Sequence, residues 1–180
     1  PGQVTWSSSF PAAELIDAGG LLTPTTQVGG PVVVTASFSG KKGSANVAIN
    51  LHYLQNPANA GAQVQFALQG ATQKDASCTW AYPYDGTVFP RGLAAPLMMW
   101  NGSGANDVYY LHITSTYFDL KTFVSAPAPS RFALDDTMWT KFVGSTSGKS
   151  ETVMNRWDGT QATTLMDQHW TIAPASMRGT

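Results

Sequence analysis

Gly30-Pro31-Val32-Val33-Val34-Thr35-Ala36-Ser37-Phe38, followed across Ser39-Gly40-Lys41-Lys42-Gly43 by Ser44-Ala45-Asn46-Val47-Ala48-Ile49-Asn50-Leu51, is the stretch whose reading decides the fold. In the first run Val32, Val34, Ala36 and Phe38 fall on one side, and Val33, Thr35, Ser37 and Ser39 on the other. Successive side chains of a strand point to opposite faces, so this period of two predicts a half-buried β-strand. The second run repeats the pattern, with Ala45, Val47, Ile49 and Leu51 inward and Asn46, Ala48 and Asn50 outward. Two alternating runs across a polar, Gly-bounded loop predict a β-hairpin, with Lys41-Lys42 as its solvated tip.

Upstream of the hairpin lie Val4-Thr5-Trp6-Ser7-Ser8-Ser9 and the turn-rich Gly19-Gly20-Leu21-Leu22. Downstream, residues 53–75 read as a linker or long loop holding one short strand, Val64-Gln65-Phe66-Ala67-Leu68. Beyond it, Met98-Met99-Trp100, the turn Asn101-Gly102-Ser103-Gly104 and Val108–Thr114 resemble the B–C hairpin of fibronectin type III-like sandwiches, which implies a second hairpin here. There Tyr109, Leu111 and Ile113 share one face, with Val108, Tyr110 and His112 on the other. Further strands are expected at 118–124, 138–143, 151–157 and 169–172. Composition agrees with many short strands: 17 Gly, 11 Pro, and acidic residues that are Asp apart from Glu14 and Glu151. Asp favours turns and disfavours helix interiors.

The bulk numbers exclude several functions. Net charge is −1 and only 12% of residues are charged, so nothing favours capture of nucleic acid or an anionic bilayer. No run of about 18 apolar residues exists, so no membrane insertion through a helix is expected. Cys78 is the single cysteine, which removes an intramolecular disulfide and reads as a small buried apolar side chain.

Two resemblances follow from these residues. Val4–Pro11, the Gly20-Leu21 turn and the hairpin closing at Ala45–Leu51 resemble a bacterial immunoglobulin-like domain of group 2, over about residues 3–52. That family has one or two strands before the Trp, and this chain starts too late to contain them. The resemblance implies that another chain, or an upstream segment of a longer protein, supplies them. The segment Tyr82–Trp100 resembles one found in secreted proteobacterial proteins of uncharacterised function, within an immunoglobulin- or fibronectin III-like region. It implies a parent chain continuing past Arg178-Gly179-Thr180, just as the start at Pro1-Gly2-Gln3 suggests a processed product or a fragment. The expected architecture is therefore all-β, with two immunoglobulin-like β-sandwich modules in tandem: 1–52, a linker over 53–75, and 76–180.

Reactive groups are scattered. His52, His112 and His169 are distant from one another and lack metal-ligand spacing, so they read as ordinary strand residues. Gly144-Ser145-Thr146-Ser147-Gly148 imitates a nucleophile elbow, but its centre is Thr, and it reads as a flexible hairpin loop. Asp135-Asp136 read as opposite-facing strand residues or as a cap, and Asp85 as a turn residue. No catalytic residue, metal or cofactor is expected. With six Trp and six Tyr, aromatic side chains are the remaining candidates. Trp6, Trp100 and Trp157 read as core, while Tyr82, Tyr84, Tyr110 and Trp139 are the candidates for an exposed ligand or interface surface.

The expected function is a non-catalytic extracellular structural or adhesive module, secreted or at the cell surface. Its expected partners are other proteins or copies of itself, met through exposed strand edges. The alternatives are a polysaccharide-binding module working through surface Trp and Tyr, and an accessory domain of a larger secreted enzyme.

Overall fold

The computed structural model describes residues 3–126 and 130–176, with side chains through Pro174; the readings placed on Pro1-Gly2 and on Arg178–Thr180 lie outside them. In chain order the elements are β1 (Thr5–Ser8), β2 (Glu14–Ile16), β3 (Leu22–Pro24), β4 (Gly30–Phe38), β5 (Lys41–Ile49), β6 (Leu51–Gln55), α1 (Ala62–Gln69), β7 (Thr79–Tyr82) and β8 (Val88–Arg91). They continue as β9 (Met98–Asn101), β10 (Val108–Ser115), β11 (Phe118–Ser125), β12 (Arg131–Phe132), α2 (Asp136–Ser145), β13 (Gly148–Trp157) and β14 (Ala162–Ser176). Among the described residues, fourteen of sixteen elements are strands, which makes the chain all-β in class.

The deciding stretch forms its hairpin. β4 and β5 pair antiparallel without a break from Gly30↔Ile49 to Phe38↔Lys41. The turn is tighter than the five-residue loop read from the sequence. Ser39 and Gly40 alone reverse the chain, at φ 46° and 78°. Positive φ at both central residues is the turn geometry whose twist matches right-handed strands, so Lys41 and Lys42 enter the ladder. β1 pairs on the far side of β4, giving the order β1-β4-β5. Burial fades towards the tip: Val32 and Ile49 are buried, while Val33, Phe38 and Lys41–Asn46 are exposed.

The larger sheet runs β6-β11-β10-β13-β14-β8, with parallel pairs only at its two margins. Its central strands are rich in β-branched and aromatic residues, which suit a pleated, packed surface. Tyr109, Leu111 and Ile113 share a face, as the alternation predicts, and are fully buried. Onto that face pack α2 and a small sheet of order β12-β9-β7. The contacts are aromatic: Trp100 on Tyr109 at 4.8 Å, Phe142 on Phe118 at 5.4 Å, and Trp139 on Phe89 at 5.4 Å between ring centres. α1 covers one end of the opposite face, where Leu68 and Ala60 meet Tyr110 and Phe123. Burying each large side chain of this kind contributes about 1.5–3 kcal/mol.

Three expectations are corrected. The strand expected at 138–143 lies inside α2. Met138, Trp139, Phe142 and Val143 are its buried apolar residues, at the i, i+4 spacing of one helical face, and Asp135 caps its start. The strand expected at Val64–Leu68 lies inside α1, where Leu68 is buried and Phe66 is 82% exposed. β9 and β10 do not pair as a hairpin, because they belong to facing sheets. Residue 52, where the expected first module ends, lies within β6, which forms an edge of the larger sheet beside β11. Val32, Val34 and Ile49 share one contiguous buried cluster with Trp100, Leu111 and Trp170.

Gly20, in the loop between β2 and β3, shows how the N-terminal region is fitted together. It adopts φ +87°, and a Cβ there would lie 2.5 Å from the Trp6 ring. We predict that Gly20→Ala costs about 2–4 kcal/mol, combining left-handed strain with overpacking. Gly43→Ala, where a Cβ meets open space, stays near neutral. Urea unfolding midpoints followed by circular dichroism check both.

Candidate functional site

The structure separates the four aromatic candidates. Tyr82 ends β7 and Tyr84 follows in the loop to β8, with their rings edge to face at 6.0 Å; Tyr84 is 70% exposed and Tyr82 half-buried. Tyr110 and Trp139 are corrected: both are buried. Tyr110 does point away from Tyr109, but α1 covers that face, and burial pushes its phenol up to about 12. Trp139 rides on the inner side of α2 and donates its Nε1–H to the Leu93 carbonyl at 2.9 Å. Of the four, Tyr82 and Tyr84 reach the surface.

The ionisable candidates are occupied by structural tasks. Asp135 accepts from the Met138 N–H at 2.8 Å as the cap of α2, and Asp85 accepts from the His169 N–H at 2.8 Å. His52 and His112, far apart in sequence, converge on Asp119 from neighbouring strands, at 3.4 and 2.9 Å. His169 does not join them. Among the described residues no group of three His, Cys, Asp or Glu side chains is arranged to hold a metal ion. Residues 144–148 are not a flexible hairpin loop, as read, but the end of α2 and the start of β13. There Ser145 accepts the Gly29 N–H at 2.8 Å, and Thr146 and Ser115 share a hydrogen bond. Cys78 is buried, and burial pushes its thiol up.

The sequence carries no signal for the most connected polar group in the protein. Arg156 on β13 donates its Nε–H to Asp107 at 2.6 Å, and its Nη1–H to Asp75 at 3.0 Å and to the Ser77 hydroxyl at 2.7 Å. Asp75 also accepts from the Thr163 hydroxyl and from the Ser77 and Cys78 N–H groups. Burial alone would raise the Asp75 pKa. The hydrogen bonds from Thr163, Cys78, Ser77 and Arg156 outweigh it and hold the carboxyl well below its ordinary value. Burial opposes the charge on Arg156 as well, and its bonds to Asp107 and Asp75 reverse that, keeping the guanidinium charged. Asp107 extends the network through Tyr109 to the Trp100 indole N–H. With so many donors satisfied, the cluster holds chain segments together and offers no free acid or base. Glu14 is the contrast: it is buried, and neither carboxylate oxygen has a hydrogen-bond partner.

Among the described residues, β5 is the longest strand at the edge of a sheet. Ser9 donates to the Val33 carbonyl, so Val33 directs its backbone groups towards β1. Alternation then turns Val32, Val34 and Ala36 towards their partners Val47, Ala45 and Gly43. The backbone N–H and C=O groups of Lys42, Ser44, Asn46 and Ala48 consequently face outward. β5 is the last strand of its sheet, and nothing among the described residues pairs with that side.

Among the described residues, no helix is long and apolar enough to cross a membrane. No protein family and no curated protein matches the chain. A solved structure that is similar is the crystal structure of domains 4 and 5 of the S-layer protein SbsC, at 11% identity over 95% of this chain and 70% of that one. Its TM-score is 0.26, a likeness too distant to support any conclusion about this protein.

The buried charges generate two predictions. Arg156→Ala strands two buried carboxylates and costs about 3–5 kcal/mol, whereas Glu14→Met removes an unpartnered one and adds about 1–3 kcal/mol, both read from chemical denaturation. The second prediction concerns pH. The folded pKa of Asp75 lies below its ordinary 3.8, so its contribution is fully present above that value. It is lost progressively as pH falls below it. Asp75→Asn flattens the acid limb of a stability–pH curve over that window.

Proposed function

We propose that this chain is a non-catalytic, extracytoplasmic structural or adhesive module that joins copies of itself by strand pairing along the outer edge of β5. The observation that carries this reading is the character of that edge. It is nine residues long, paired to β4 in unbroken register with no bulge, and uncharged from Gly43 to Ala48. Strand edges meant to stay solitary are shortened, bulged, or interrupted by charge or Pro. Here Lys41 and Lys42 sit at the tip, and the remainder is left open. Backbone groups facing outward at every second residue are what an added strand requires. The low charge of the whole chain also favours close approach of like copies.

In this reading the β1-β4-β5 sheet with the β2-β3 hairpin is an immunoglobulin-like unit. The larger sheet with its β12-β9-β7 cover is a second, sandwich-like unit. The facing aromatic packing of Trp100 on Tyr109 supports the latter.

Edge pairing makes a residue-level prediction. Asn46 directs its N–H outward, so Asn46→Pro deletes one external donor and leaves every β4–β5 ladder bond in place. The wild-type chain should show a weight-average mass that rises with concentration in sedimentation equilibrium. Asn46→Pro should weaken that association by about tenfold or more, and Asn46→Ala should not. A wild-type chain that remains monomeric at every concentration, or Asn46→Pro assembling as well as wild type, removes the reading.

A further inference from the structure

The outer edge of β14 is interrupted along part of its length. At one end of the interruption the Thr164 N–H donates to the Gln73 carbonyl at 2.7 Å, and the Thr164 carbonyl accepts from Asp75 at 2.9 Å. At the other end the His169 carbonyl accepts from Gly86 at 2.8 Å, and Thr171 donates to Thr87 at 2.9 Å. Between these closures the chain leaves β14, runs through β7 in the small sheet, and returns. The register of β13 and β14 slips at the same place: Met154 faces Met166 and Asn155 faces Thr164, so Leu165 is unmatched. Bulges of this kind bend a strand and re-aim its side chains. A cleft of about 520 Å³ lies at this place, between residues 164–168 on one side and Thr72, Lys74, Thr79 and Trp80 on the other.

The lining defines what fits. His169 and Thr171 direct their backbone groups away from β13, so by alternation Asp167 does too, and its N–H and C=O have no backbone partner among the described residues. Trp80 forms an apolar wall with Met166. Its Nε1–H is already donated to the Pro83 carbonyl at 2.6 Å and its ring is stacked on Trp100, so it offers ring surface and no donor. Gln168 accepts the Trp170 indole N–H on its Oε1, which leaves its NH₂ as a donor. Lys74 and Asp167 add one positive and one negative charge, which cancel.

This chemistry selects a ligand class. An anion or a cation gains no net attraction from cancelling charges. An extended peptide needs several consecutive outward backbone groups, and here both ends are closed and only Asp167 is open. A pyranose ring has an apolar C–H face for an indole, and hydroxyls that both donate to a C=O and accept from an N–H. We propose that this cleft binds one uncharged sugar ring, such as the terminal residue of a glycan. The site is separate from the β5 edge and does not depend on strand pairing there.

The test uses the full chain, ¹⁵N-labelled, titrated separately with methyl β-glucoside, methyl β-galactoside, methyl α-mannoside and N-acetylglucosamine. At least one sugar should give saturable shifts centred on the Asp167 amide and the Trp80 indole N–H, with a dissociation constant on the order of 1–10 mM. Thr79 is exposed at the rim of the cleft, and Thr79→Arg should weaken that binding about tenfold or more while leaving the circular dichroism spectrum unchanged. The proposal is overturned if no sugar saturates up to about 50 mM. It is equally overturned if the shifts map elsewhere in the wild type, or if a folded Thr79→Arg chain binds as before. Mapping on the wild type decides the matter even where the variant fails to fold.

Discussion

A buried chain of hydrogen bonds, running from the Trp100 indole through Tyr109, Asp107 and Arg156 to Asp75, is the interaction on which the rest of the structure depends. It crosses the core from the small sheet to the larger one and ends on the segment that feeds β7. Two carboxylates and one guanidinium held away from water are tolerable only if nearly every donor and acceptor is met. Meeting them fixes where β9, β10, β13 and residues 75–78 sit relative to one another. Apolar packing alone would allow these layers to slide, since burial is non-directional. The ionic chain supplies the missing direction.

The N-terminal region is held by different means. Gly29 brings the backbone so close to Tyr117 and Ile49 that a Cβ would lie 2.5 Å and 2.8 Å from their carbonyl oxygens. The Leu51 N–H donates to the same Tyr117 carbonyl at 3.0 Å. Backbone approach here does the work that side-chain charge does in the core.

How much of this was legible depended on the range of the interaction concerned. The β4–β5 hairpin and the common face of Tyr109, Leu111 and Ile113 follow from alternation, which is local, and both are present. The misread helices show where alternation becomes ambiguous. Val64, Phe66 and Leu68 fit a period of two, and Val64 and Leu68 also fit a helical i, i+4 pair; tertiary cover from Tyr110 and Phe123 favours the helix. Trp139 and Phe142 carried a helical signal of their own, with Asp135 three residues before Met138 as a cap. The Arg156 network and the meeting of His52 with His112 join residues that only the completed topology makes neighbours. No spacing in the chain announces them. The same holds for the β14 cleft, where Trp80 matters and the more conspicuous Tyr110 does not.

Only Asn50 separates β5 from β6, and β6 is stitched to β11 along its length. A joint one residue long has no slack. The heading of the hairpin is set by that joint together with the packing of Val32, Val34 and Ile49 into the common core. A strand added along β5 under the proposed edge pairing would therefore take its direction from the larger sheet, through this joint and the buried side chains beside it.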